Sequence, residues 1–121
     1  MRDCYVRGAY NLLGLTTPRQ LISLLPHFDA IVTSDNFIMH AAHLCHVPAV
    51  VLWGPSSHLV YGYEGQAHFQ ATPECLSSAG CIGAGKGLVY DTPCPEPVHC
   101  MEKFNMDEVG QSVLNILKKA H

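Results

Sequence analysis

At 121 residues the chain holds one domain, given about 150 residues per domain, and it leaves no room for an active site built between two. Seven Lys and Arg against ten Asp and Glu give a formal net charge of −3, which removes the basic surface that nucleic-acid binding requires. Hydrophobic residues make up 48% and charged residues 14%, against roughly 25% charged in ordinary soluble domains, so a core is available and part of the surface is expected to be covered by a partner.

The first predicted element opens at Thr17-Pro18-Arg19-Gln20, where Thr17 caps a helix, Pro18 suits its first position and Gln20 completes a capping box. Leu21, Leu24 and Leu25 give it an apolar stripe, and it must end before Pro26. Asp29 to Asp35 is a β-branched apolar run closing on polar residues, which predicts a buried parallel strand. Asn36 to His46 contains no Gly or Pro and predicts a helix whose Ala41 and Ala42 pack closely on a sheet. Ala49 to Trp53 is a second buried strand, stopped by the turn residues Gly54 and Pro55. Strand, helix and strand in this order form a βαβ unit, which builds parallel sheets with helices on both faces.

Regularity fades over residues 58–67, and His68 to Thr72 gives one more short strand. Residues 73–99 read as a long Cys/Gly/Pro-rich loop within the single domain, residues 1–121. The last helix starts at Asn105-Met106-Asp107-Glu108, an Asn-x-x-Glu form of the capping box. Lys118 and Lys119 lie where the helix dipole favours cations.

The apolar run Val47 to Trp53 contains Pro48 and falls far short of the roughly 20 residues needed to span a bilayer, so no transmembrane segment is expected. No apolar stretch of secretory type follows Met1, and the expected compartment is cytoplasmic. For the six cysteines, free thiols or a metal site are then expected ahead of disulfides. Cys75, Cys81, Cys94 and Cys100 lack the C-x₂₋₄-C spacing of structural zinc sites. His40, His43 and His46 recur every three residues and spread over about 120° of a helix, too wide for one ion. No metal ligand is assigned, and neighbouring histidine pairs, and the cysteines with His99 nearby, stay as metal-site alternatives to exposed residues and free thiols.

In doubly wound sheets ligands bind at the carboxyl ends of strands, where helix N-termini face the crevice. Here that place is Thr33 to His40. Backbone N–H groups at a helix start attract anions, and a histidine one turn in adds a hydrogen bond or a charge, so the residues alone read as a phosphate or carboxylate site. The plainer alternative is that Asp35 or Asn36 caps the helix and His40 is an ordinary half-buried residue. Trp53 is expected to pack under the loop or flank a bound ring, and Tyr61 and Tyr63 to pack or contact a ligand.

The run Ile31-Val32-Thr33-Ser34-Asp35-Asn36-Phe37-Ile38-Met39-His40-Ala41-Ala42, followed by Val47-Pro48-Ala49-Val50-Val51-Leu52-Trp53-Gly54-Pro55-Ser56, resembles the signature of glycosyltransferase family 9, the lipopolysaccharide heptosyltransferases. That signature reads approximately D-S/T-G-x-x-H-x-A, a short helix, G-V/I-P, an apolar strand and F/W-G-P-T/S. Asn11 to Thr16 resembles the family's preceding L-x-G-x-T turn, and Cys100 to Phe104 with Asp107-Glu108-Val109 resembles its C-M-x-x-I…E-V segment. The resemblance spans about residues 9–119.

It implies a partial Rossmann-like domain, the C-terminal half of a GT-B type transferase that binds a sugar nucleotide. By position, Asp35 and Asn36 fall on the D-S/T pair, Phe37 on the glycine and His40 on the histidine, the segment that contacts the donor's phosphates. The catalytic base and a basic phosphate contact are implied to lie on an N-terminal domain upstream of Met1, so no catalytic residue is assigned here and the chain alone is expected to be inactive. No cofactor is required; the partners are a nucleotide-diphosphate sugar and a glycan or lipid-linked acceptor. The location implied is cytoplasmic, peripheral at the inner membrane.

Two departures from the signature matter for the phosphate site. Phe37 places a ring where glycine lets the backbone approach a phosphate, and Asn36 replaces a hydroxyl donor. They define the rival reading, a non-catalytic relative serving as a binding or assembly module with its phosphate site closed.

Overall fold

The computed structural model describes residues 7–71 and 100–120, so the expected loop over residues 73–99, with Cys75, Cys81 and Cys94, lies outside the described residues. Helix α1 spans Pro18–Leu24. Its start is fixed by a reciprocal pair: the Gln20 N–H donates to Thr17 Oγ1 at 3.2 Å, and the Thr17 N–H donates to Gln20 Oε1 at 2.9 Å. Pro26 ends it as expected, in a 3-10 turn over Leu25–His27.

Strand β1 covers Ile31–Ser34 and β2 covers Ala49–Trp53. They pair in parallel with Ile31 opposite Ala49, and helix α2, Phe37–Leu44, connects them. Strand β3, Ala67–Gln70, pairs in parallel on the other side of β2 with Val50 opposite Ala67. The sheet order is β1-β2-β3. The predicted first strand was two residues too long at its start, because Asp29 and Ala30 precede the pairing.

Residues 58–67, read as irregular, contain a one-turn helix α3, His58–Tyr61. Ser57 caps it, its hydroxyl accepting from the Leu59 N–H at 3.2 Å. A 3-10 turn, Cys100–Glu102, precedes the last helix, α4, Met106–Ala120. Asn105 Oδ1 accepts from the Asp107 and Glu108 N–H groups at 3.1 and 3.4 Å, the capping half of the predicted box.

The period of two along a strand divides β2 between two layers. Ala49, Val51 and Trp53 join Leu25, Met39, Ala41, Ala42 and Val47 in one buried cluster. Val50, completely buried, falls outside that cluster on the alternate side. Helix α4 contacts β2 and buries Val109, so helices cover both faces of this small α/β sheet. Ala41 and Ala42 are the buried residues that let α2 lie close to it, as their size predicts.

Helix α2 ends in a Schellman motif. The Val47 N–H donates to the Ala42 carbonyl at 2.9 Å and the His46 N–H to the His43 carbonyl at 3.1 Å. The residue that turns the chain is His46, at φ 56°, a left-handed conformation that costs a side-chain-bearing residue free energy. His46 stands where the G-V/I-P signature has its glycine.

Candidate functional site

The candidate site lies at the carboxyl end of β1, where the chain turns into α2. Asn36 is the N-cap: its Oδ1 accepts from the Ile38 N–H at 2.9 Å. The Thr33 hydroxyl lies 3.1 Å from the Ser34 carbonyl and 3.3 Å from Asn36 Oδ1, and Asn36 Nδ2 donates to Ser34 Oγ at 3.3 Å. Thr33, Ser34 and Asn36 thus tie the strand end to the helix start. The Ser34 hydroxyl accepts in this network, which leaves its own proton for a further acceptor. Thr33 and Ser34 lie within the stretch Thr33 to His40 marked by the sequence, though neither was among its four candidates, and Ser34 places a hydroxyl two residues before Asn36.

The four residues singled out from the sequence take different places. Asn36 is committed to the cap. Asp35 is exposed and makes no hydrogen bond among the described residues. Phe37 is the first residue of α2, with half of its surface exposed. His40 is half-buried one turn into the helix, and its Nδ1 lies 2.7 Å from the Tyr63 hydroxyl.

Tyr63 brings the other histidines into relation. Its ring stacks on His43 with centroids 3.8 Å apart and planes 9° from parallel, and meets His40 edge-on at 5.5 Å. His43 is therefore coupled to His40 through Tyr63, despite lying farther from the helix start. His46 has left the helix altogether. Among the described residues no group of three His, Cys, Asp or Glu side chains gathers to hold a metal.

The segment bearing Tyr63 is held on several sides. The Gln66 N–H closes a turn onto the Tyr63 carbonyl at 3.3 Å with Gly65 at φ 88°, a conformation glycine adopts without strain. Gln66 Nε2 donates to the Met39 carbonyl of α2 at 3.2 Å, and His68 Nε2 donates to the Tyr63 carbonyl at 3.0 Å. At Gly62 a Cβ would come within 2.6 Å of the His58 carbonyl oxygen and 2.8 Å of His68 Cε1. Only glycine lets α3 and β3 close this tightly beside Tyr63.

Trp53 is fully buried and donates its indole N–H to His68 Nδ1 at 3.0 Å. It packs in the core and does not present a face to a ligand. Gln70, on β3, fixes the turn after β2: its Nε2 reaches the Ser56 carbonyl at 3.1 Å and its Oε1 accepts from the His58 N–H at 3.2 Å. Gln66, His68 and Gln70 therefore brace α2, the turn at Tyr63 and the turn after β2.

Compared with known families, residues 2–74 match the model described as glycosyltransferase family 9 (heptosyltransferase), more than half of the chain and all of β1, α2, β2, α3 and β3. No curated protein and no solved structure matches it significantly. No helix among the described residues is long and apolar enough to cross a membrane.

Proposed function

Because the chain belongs to glycosyltransferase family 9, we propose that it is the part that binds the sugar-nucleotide donor, with the diphosphate held at the start of α2. The observation that carries this reading is the junction of β1 and α2, where a helix N-terminus, the Ser34 hydroxyl and His40 occur within one turn. The helix end offers partial positive charge and N–H donors. His40 adds a hydrogen bond to a phosphate oxygen, stronger than a neutral pair because the acceptor is charged.

In this reading the diphosphate leaves from the anomeric carbon as an acceptor hydroxyl attacks it. Donors that hold the departing charge lower the barrier. The general base that takes the acceptor's proton belongs to an N-terminal domain, as does the acceptor site, so the chain binds donor and does not turn over by itself. The sugar is of hexose or heptose type and the acceptor a glycan or lipopolysaccharide. The place of work is the cytoplasmic side of the inner membrane.

A second reading has its own observation: the Asn36 carboxamide already occupies the Ile38 N–H, and Phe37 adds a ring at the first helical position. On that reading the chain is a non-catalytic binding or assembly module. Calorimetric titration of the folded chain with ADP- and UDP-sugars separates the two. Binding that competes with the free nucleoside diphosphate supports the donor site, and no heat at millimolar nucleotide supports the module.

A further inference from the structure

We infer that Tyr63 is a positioning residue for His40: its hydroxyl donates to Nδ1, so that the neutral imidazole carries its proton on Nε2 and presents that N–H to the ligand of the α2 start. The consequence for binding rests on the donor-site reading above, whereas the tautomer stands on geometry alone. The 2.7 Å separation is short enough for a well-formed O–H···N bond. Of the two partners the phenol is the better donor and the imidazole nitrogen the better acceptor. Among the described residues the hydroxyl has no other hydrogen-bond partner, so donation to His40 is also what satisfies it.

Three contacts make Tyr63 a fixed post. His43 covers one face of its ring at 3.8 Å, the Tyr63 carbonyl is tied to His68, and Gln66 ties the same turn to Met39, one residue before His40. Histidine has two ring nitrogens, and the bond made by one sets the task of the other. With Nδ1 occupied as acceptor, Nε2 is left as donor, which is what a phosphate oxygen requires.

The test uses nitrogen-15 NMR of the full chain at alkaline pH, where imidazoles are neutral, together with the variant Tyr63→Phe. The substitution keeps the ring that stacks on His43 and removes only the hydroxyl. In the wild type, His40 is expected to show an unprotonated Nδ1 and a protonated Nε2. In Y63F the two signals should move toward the averaged positions of a free imidazole, and affinity for an ADP- or UDP-sugar should fall about two- to tenfold, the loss of one hydrogen bond.

A protonated Nδ1 in the wild type, or ring signals unchanged in Y63F, overturns the proposal. The wild-type spectrum decides the tautomer even if the variant does not fold. Altered ring signals with undiminished donor affinity overturn the link to the ligand. A wild type that binds no sugar nucleotide sinks the donor-site reading instead, while the tautomer measurement still judges Tyr63.

Discussion

The Trp53 indole N–H donates to His68 Nδ1 across 3.0 Å, and because an indole nitrogen only donates, His68 must hold its proton on Nε2. That proton goes to the Tyr63 carbonyl at 3.0 Å. A hydrogen-bonded path therefore runs from the core of β2, through β3, to the turn that carries Tyr63. Replacing His68 by Leu leaves the buried Trp53 N–H without an acceptor, at an expected cost of about 1–3 kcal/mol. Urea unfolding reads the loss, and the single tryptophan of the chain reports the change by its fluorescence.

Replacing His40 by Ala is expected to weaken sugar-nucleotide binding by about 1.5–3 kcal/mol, the range for a hydrogen bond to a charged group. His43 stacks on Tyr63, so His43→Ala disturbs the same assembly and is not an independent control. His27, in the 3-10 turn after α1, is the better one. Calorimetry should show a large loss for H40A and none for H27A, and equal affinity for wild type and H40A removes His40 from the binding site.

At the other end of α2, His46 holds a left-handed backbone. Glycine adopts that conformation without the roughly 1–2 kcal/mol penalty of a Cβ, offset in part by its greater freedom when unfolded. The substitution His46→Gly is expected to raise stability by about 0.5–1 kcal/mol. A thermal midpoint that falls would show that the imidazole itself contributes something the backbone argument omits.

Thr17 is the exposed end of a local motif, so its effect should be confined to stability. Thr17→Ala removes the acceptor for the Gln20 N–H, which costs about 0.5–2 kcal/mol for a capping residue. Denaturant titration should detect the shift. Nucleotide affinity should stay as it is.

What the sequence reveals here is what is decided locally. Thr17 and Gln20 are three residues apart, and their capping box forms as read. Gly54 and Pro55 stop β2, so its bounds coincide with the predicted Ala49 to Trp53. Helix α3 escaped notice because four residues are too few to show a period, although Ser57 is a capping residue in plain view. The sequence picked out the junction of β1 and α2 and four candidate residues on it, but not how they are connected. His40 and Tyr63 are 23 positions apart, and no spacing rule joins them before β3 is known to lie beside β2. The left-handed turn at His46 was hidden for a related reason: its usual marker is glycine, and this chain has none there.

The order β1-β2-β3 follows the order of the chain, and this bears on how the sheet is made. Each strand finds its partner in the one synthesised just before it, across connections of similar length, from Ile31 to Ala49 and from Val50 to Ala67. Among the described strands, none has to be inserted between two that are already paired. The sheet is thus able to grow by addition at one edge as the polypeptide leaves the ribosome, with each loop closed before the next begins. The junction of β1 and α2 belongs to the earliest of these steps, and Tyr63 reaches His40 only when β3 is laid down.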